Sequence, residues 1–195
     1  LLSVVGDDAE GRELVTAVSA MGVKTDLLYR SADLPTDSYM AVEGANGLIA
    51  AIADAHSLEA AHDKILTPMS DGRLGSLDDP FEGTIALDGN LTTTLLSEIA
   101  TSSLFAASDL RLAPASPGKA ERLLPFLGRT NTTFYVNKEE AGLLCKFDFA
   151  SATDAAKGLR DLGVGRALVT DGARETAEVA GEFLQAAAPP QVLSV

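Results

Sequence analysis

Short apolar runs alternate with stretches of helical spacing along most of the chain. Residues 1–5 form the first run, and residues 10–21 then carry apolar side chains at intervals of three and four. Later runs lead into Asp88, Asn137 and Thr170, with further helical stretches between them. Strands that alternate with helices are typical of a parallel sheet with helices on both faces, so the pattern predicts an α/β fold.

A different pattern interrupts this alternation at residues 36–54. Two apolar runs, 38–42 and 48–52, flank the dipeptide Asn46-Gly47. An Asn-Gly dipeptide between apolar runs is a strong signal for a tight turn between antiparallel strands. The segment is therefore predicted to form a β-hairpin.

Helix caps and breakers indicate the remaining elements. Ser57 and Ser151 each precede a stretch of helix-forming residues and are suited to cap its amino-terminal N–H groups. The sequence predicts a strand over 23–29 and helices over 58–65, 92–106, 118–127 and 152–162.

Composition and charge limit the kinds of partner. The chain of 195 residues is 46% hydrophobic and 22% charged, which fits one soluble globular domain. Its net charge of −13 argues against nucleic acid or an anionic membrane surface as a partner. A nucleotide remains compatible with this charge, because backbone N–H groups can hold a phosphate inside an acidic protein.

The apolar runs and the single cysteine indicate the compartment. No run approaches the roughly 20 residues that a membrane-spanning helix needs. Cys145 is the only cysteine, so an intrachain disulfide is excluded and a reducing, cytoplasmic location is expected. Because Cys145 lies between Leu144 and Phe147, it is predicted to be a buried apolar residue rather than a reactive thiol.

Two polar motifs follow apolar runs in the second half of the chain. In Asn137-Lys138-Glu139-Glu140, Asn137 can cap a helix with Glu140 as its capping-box partner. The same amide and carboxylate can also hold a hydrated Mg²⁺, and the two roles are compatible.

The second motif, residues 170–173 (Thr-Asp-Gly-Ala), is either an ordinary exit from a strand or a place where backbone approaches a ligand. Asn137 and Thr170 each follow a predicted parallel strand. We therefore expect them to lie at the same edge of the sheet.

Taken in order with residues 5–11 and 36–43, these motifs resemble the ribokinase-like (PfkB) family of carbohydrate and nucleoside kinases. The resemblance implies a three-layer α/β sandwich with a mostly parallel central sheet. It implies that residues 1–195 are a partial kinase domain in which the hairpin 36–54 is a lid. The activity implied is ATP-dependent phosphorylation of a sugar or nucleoside hydroxyl, with ATP and Mg²⁺ as cofactors.

The resemblance also assigns site residues. Those expected to bind the nucleotide are Asn137, Thr170, Gly172 and Ala173; those expected to hold Mg²⁺ are Glu140 and Asn137; and those expected to bind the substrate are Ser38, Tyr39, Val42 and Asn90. Two positions depart from the family pattern. Asp171 replaces an apolar residue and places a carboxylate where phosphates would lie, and Ala113 replaces an aspartate.

Finer features leave alternatives open. Residues 51–54, 88–90 and 116–120 are most similar to pseudouridine kinase-like members. A sugar-phosphate kinase would need basic residues at the lid edge, where only Arg30 is found. The exposed apolar side chains expected on the hairpin favour a homodimer contact. His56 and His62 are predicted to be structural or surface residues.

The family order also predicts where catalysis resides. The glycine-rich loop with the catalytic aspartate is expected beyond Val195, and an amino-terminal portion is expected to precede Leu1. On this expectation the chain by itself transfers no phosphate at an appreciable rate. A catalytically silent binding or assembly module of the same fold is the alternative.

Overall fold

The structure is a computed structural model that describes residues 1–45 and 47–189. The chain divides into two compact units, Leu1–Ser76 and Leu77–Val195. Among the helices of the described ranges, none is long and apolar enough to span a bilayer.

The first unit begins with a small parallel pair of strands. Strand β1 (Val4–Gly6) pairs with β2 (Tyr29–Ser31), and helix α1 (Ala9–Ala20) lies between them in sequence. The strand predicted over 23–29 is wrong in its bounds. After the left-handed Gly22, the chain reaches strand geometry only at Tyr29.

The predicted hairpin is present. Strand β3 (Ser38–Gly44) pairs antiparallel with β4 (Gly47–Asp54), with a bulge between Val42 and Glu43. The two strands form a sheet of their own. Asn46, the predicted turn residue, lies outside the described residues. The lid function of the hairpin stays a prediction.

Carboxylates fix the root of the hairpin within the first unit. Asp8 accepts hydrogen bonds from Gly11 N at 2.7 Å, from Thr36 N at 2.7 Å and from Thr36 Oγ1 at 2.6 Å. Asp37 accepts from the N–H groups of Ser57 and Leu58 at 2.9 and 3.0 Å. The residues that lead into β3 are therefore attached to the start of α1 and to the next helix.

That next helix, α2 (His56–Ala61), differs from the prediction. Ser57 was expected to cap it, but the Ser57 hydroxyl donates to Pro35 O at 2.6 Å instead. The Asp37 carboxylate, 20 residues away in sequence, accepts from the helix N–H groups in its place. A 3-10 helix, His62–Met69, follows α2.

The second unit is a six-stranded sheet with helices. Its strands are β5 (Thr84–Asp88), β6 (Asp109–Ala113), β7 (Thr132–Asn137), β8 (Arg166–Thr170), β9 (Thr176–Ala180) and β10 (Phe183–Ala187). Its helices are α3 (Thr93–Thr101), α4 (Lys138–Cys145), α5 (Ala152–Asp161) and the 3-10 helices Ser103–Phe105 and Pro117–Phe126.

The sheet is mostly parallel, as predicted. The strand order is β10-β9-β8-β7-β6-β5, in which β5 to β8 run parallel and the last two strands are antiparallel. Side chains alternate along each strand, so one face of the sheet carries the core. Fully buried residues of that face are Leu110, Leu112, Phe134, Ala167, Val169, Ala177 and Val179.

Three helix predictions can be compared with the structure. Ser151 caps α5 as predicted, by accepting from Asp154 N at 3.0 Å. The helix predicted to continue to Ala106 ends at Thr101, where Ser102 becomes extended. The segment predicted as a helix over 118–127 is a 3-10 helix that contains Pro125, which has no N–H to donate.

Candidate functional site

Neighbouring parallel strands end at the same edge of the sheet, and polar residues follow them there. Asn137 at the end of β7 pairs in register with Thr170 at the end of β8. Asp88 pairs in the same way with Ala113 at the ends of β5 and β6. The prediction that Asn137 and Thr170 share one edge is therefore confirmed. The carboxyl ends of parallel strands are where α/β sheets bind ligands.

A reciprocal capping box shapes the first motif. Asn137 Oδ1 accepts from Glu140 N at 2.8 Å, and Glu140 Oε2 accepts from Asn137 N at 2.8 Å. Glu140 is buried, with 8% of its surface exposed. The box therefore fixes one amide and one carboxylate at the start of α4.

This pair fits Mg²⁺ only together with other ligands. Within residues 1–45 and 47–189, no three His, Cys, Asp or Glu side chains converge on a common point. Mg²⁺ usually keeps several waters and takes one or two carboxylates plus substrate phosphates. The residues present suit that arrangement and do not form a closed cage.

The second motif is a tight turn. Arg174 N donates to Asp171 O at 3.0 Å, and Gly172 has a φ of 58°, in the left-handed region that favours glycine. A Cβ atom at Gly172 would meet no atom within 4 Å. Glycine is thus required here by backbone conformation, and the space beside it is open.

Asp171 is neutralised by two cations. Its carboxylate lies 2.8 Å from the Arg174 guanidinium and 3.3 Å from Lys138 Nζ, and its side chain is only 10% exposed. Lys138 directly follows Asn137, and Asp171 directly follows Thr170. The ion pair therefore joins the ends of β7 and β8. Asp171 carries one negative charge and its two partners carry one positive charge each. Asp171, Lys138 and Arg174 together therefore keep a net positive charge.

We predict that Asp171 makes the stability of the fold depend on pH in the acid range. Hydrogen bonding from Arg174 and then from Lys138 lowers the pKa of Asp171, although partial burial opposes this. A carboxyl whose pKa is lower in the folded chain stabilises the fold above its unfolded pKa of about 3.9 and loses that contribution as the pH falls below it. The melting temperatures of the wild type and Asp171→Asn should therefore differ at pH 7 and converge toward pH 3.

Asp161→Asn is the control for this comparison, because Asp161 has a largely exposed side chain on α5 with a looser contact of 3.5 Å to Arg160. Its melting temperature should follow that of the wild type across the range. A difference for Asp171→Asn that stays constant from pH 7 to pH 3 would contradict the prediction.

A second cluster lies at the end of β5. Asn90 N and Nδ2 donate to the two carboxylate oxygens of Asp88 at 2.8 and 3.1 Å. Lys119 Nζ donates to Asn90 Oδ1 at 2.5 Å, and Arg122 donates to Gly89 O and Leu91 O at 3.2 and 3.1 Å. The sequence predicted a role for Asn90 but none for Lys119 and Arg122. These two residues are three apart on a predicted helix, and this spacing indicates that they lie on the same face of it.

The comparisons with known proteins agree with this geometry. Residues 1–195 match the profile of the pfkB family carbohydrate kinases. The chain belongs to this family. No curated protein sequence matches the chain significantly.

Solved structures show the same fold. A carbohydrate kinase from Agrobacterium tumefaciens superposes with a TM-score of 0.76 and 24% identity, over 97% of this chain and 59% of that one. A ribokinase from Thermotoga maritima superposes with a TM-score of 0.73 and 18% identity, over 98% of this chain and 60% of that one. An Arabidopsis thaliana ribokinase complexed with ribose and ATP superposes with a TM-score of 0.71 and 17% identity, over 100% of this chain and 62% of that one. The ribokinase-like fold class is therefore confirmed, and the pfkB chain spans about three fifths of these structures.

In this pfkB chain, the hairpin residues that were predicted to bind substrate do not all lie together. Ser38, Met40 and Val42 share one face of β3, while Tyr39 points to the other, because side chains alternate along a strand. Tyr39 and Val42 are 66% and 52% exposed. Each face of the hairpin thus offers exposed apolar surface. The substrate role of these residues stays a prediction.

His56 and Cys145 are further titratable side chains of the pfkB chain. His56 Nδ1 lies 2.5 Å from Asp54 Oδ1, and the hydrogen bond with this carboxylate raises the pKa of His56. Cys145 is half-buried, whereas it was predicted to be buried, and this burial raises the pKa of its thiol and favours the neutral form. The local ion pair agrees with a structural or surface role for His56.

Proposed function

We propose that the protein transfers a phosphoryl group from ATP to a hydroxyl group of a sugar or nucleoside. The observation that carries the proposal is the register pairing of Asn137 with Thr170 at the carboxyl edge of the sheet. Membership of a carbohydrate kinase family supports it. One structure of the same fold is a ribokinase complexed with ribose and ATP, which indicates ligands of this kind.

Each element of the edge has a role in this proposal. Asn137 and Glu140 would hold hydrated Mg²⁺, and the backbone at Thr170, Gly172 and Ala173 would lie against the phosphates. When bound, Mg²⁺ neutralises charge that develops on the transferred group. Lys138 and Arg174, held together by Asp171, add positive charge beside the same turn. Phosphoryl transfer depends mainly on such positioning and charge stabilisation.

The narrower parts of the proposal concern the acceptor and the assembly. In the second unit Asn90 contributes to the acceptor site, with a pseudouridine kinase-like nucleoside as one candidate acceptor, and in the first unit Ser38, Tyr39 and Val42 keep their predicted role in substrate contact. The exposed apolar hairpin also suits a homodimer contact, since exposed apolar surface favours association. The single cysteine is consistent with a cytoplasmic location.

A catalytically silent binding module is less well supported. The carboxylate of Asp171 favours such a module from the sequence alone, since a negative charge at this position would repel phosphates. In the structure this carboxylate lies between Lys138 and Arg174. The charge at the turn is therefore compatible with a nucleotide.

Two measurements test the proposed function. Amide NMR titration with Mg-ATP should shift the resonances of residues 137–140 and 170–173 most strongly, and EDTA should weaken the binding. ADP release by the full-length protein should then identify an acceptor among sugars and nucleosides. Shifts confined to other residues would contradict the nucleotide site. Binding of Mg-ATP by the full-length protein without phosphorylation of any acceptor would favour the silent module.

A further inference from the structure

Among the described residues, Lys119 is a cation without a carboxylate partner at the carboxyl edge of the sheet. Other basic residues of the second unit, such as Lys138, Lys157 and Arg166, have a carboxylate oxygen within 4.0 Å of a side-chain nitrogen. Among the described residues, the half-buried Lys119 has one polar partner, the neutral Asn90 Oδ1 at 2.5 Å. In a chain with a net charge of −13, such a lysine needs an explanation.

The turn that faces Lys119 is fixed on several sides. The Asn90 amide donates to Asp88 and accepts from Lys119, so both of its ends are used within the cluster. Arg122 donates to three carbonyls of the same turn, those of Gly89, Asn90 and Leu91. Gly89 N donates to Ala113 O at 2.9 Å, which joins the turn to the end of β6. The hydrogen bond to Asn90 Oδ1 thus orients the ammonium, and in the described part of the chain its other two N–H donors have no polar partner.

We propose that Lys119 binds a carboxylate group on the acceptor, so that the acceptor is a sugar acid. This inference rests on the proposed function and names its substrate class. A fixed ammonium with two available donors forms strong hydrogen bonds to a carboxylate oxygen. Asn90 then acts as a positioning residue, because its amide oxygen orients the ammonium and its NH₂ group is anchored on Asp88.

A carboxylate fits this cluster better than a phosphate does. A phosphate carries up to two negative charges and three acceptor oxygens, and bidentate arginine contacts are a frequent way of binding it. The guanidinium of Arg122, which contacts the same turn, donates through Nη1 to backbone carbonyls of that turn. One lysine matches the single charge of a sugar acid.

Pairs of acceptors that differ only in one carboxylate test whether Lys119 recognises a negative charge. Isothermal titration of the protein in the presence of Mg-ADP should compare D-gluconate with D-glucitol and D-ribonate with D-ribitol, since each pair differs in one terminal carboxylate. We expect each acid to bind about tenfold more tightly than its alcohol, as one charged hydrogen bond supplies about that factor. Lys119→Gln should remove the difference, because it keeps a donor and loses the charge, and Lys119→Arg should retain most of it.

The control is Lys157→Gln, which removes the same charge from an exposed lysine of α5 that contacts Asp154 at 3.3 Å. It should leave the preference for acids unchanged. Equal or weaker binding of the acids, binding of neither member of any pair, or tighter binding of uridine, pseudouridine or D-glucitol 6-phosphate would overturn the proposal. A preference for acids that survives in Lys119→Gln would do the same. Mg-ATP binding is measured separately and reports on the nucleotide site. Loss of Mg-ATP binding would contradict the proposed function, whereas normal Mg-ATP binding without a preference for acids would contradict only the role of Lys119.

Discussion

Replacing Glu140 by glutamine is expected to weaken Mg²⁺-dependent ATP binding by about 10- to 100-fold, the range found when groups that support a bound metal are removed. The capping box accepts either glutamate or glutamine, so the hydrogen bond from Asn137 N should persist. The negative charge is lost, and with it the attraction for Mg²⁺. Calorimetric titration with Mg-ATP, and with ATP in EDTA, would measure the change in affinity. The melting temperature of the variant would show whether the fold is retained.

Two further variants separate the metal role from the helix cap. Glu139→Gln removes the same charge from the same turn, at an exposed position outside the box, and should change Mg-ATP affinity little. Asn137→Ala breaks the box and should lower stability by about 1 kcal/mol. Equal Mg-ATP affinities for Glu140→Gln and Glu139→Gln would mean that Glu140 serves only as a capping residue.

The capping box could be predicted from sequence because it depends on neighbours in the chain. Asn137 and Glu140 are three residues apart, and helix geometry alone brings their groups together. The strand ends could also be predicted, since parallel strands of an alternating α/β pattern finish at one edge. Local rules thus predicted where the candidate nucleotide site lies.

The partners of Asp171 and Asn90 could not be predicted in this way. The contact of Asp171 with Lys138 depends on the register of β7 against β8. Lys119 reaches Asn90 across 29 residues of sequence. Such contacts follow from how helices pack on the sheet, and no local pattern contains that information. The contacts of these charged groups therefore became visible only in the structure.

Two misjudged elements have different causes. Strands β9 and β10 were not predicted because their segment is rich in alanine, which has a weak preference for strands. Tyr39 and Val42 were both expected to bind the substrate, but residues three apart on a strand point to opposite faces. This separation follows from the sequence alone once the hairpin is predicted.

In the turn that carries Asn90, Gly89→Ala is expected to destabilise the fold by about 1–3 kcal/mol. This is the usual cost of an extra methyl group in a packed site. A Cβ atom at Gly89 would lie 2.2 Å from Pro114 O and 2.9 Å from Pro114 C. These are backbone atoms, so no side chain can rotate away. In a chain of this length, each kcal/mol lowers the melting temperature by about 2–4 °C.

Gly118→Ala is the matched control, because Gly118 lies in the 3-10 helix beside Lys119 and a Cβ atom there would meet nothing within 4 Å. Its melting temperature should stay the same or rise, since alanine reduces the entropy of the unfolded chain. Gly89→Ala should also displace Asn90, and with it the oxygen that orients Lys119. Thermal unfolding of both variants, with the acid-to-alcohol affinity ratio, would measure these effects. Equal melting temperatures for the two variants would show that the turn can move away from β6 at little cost, and the fixed position inferred for Lys119 would then be wrong.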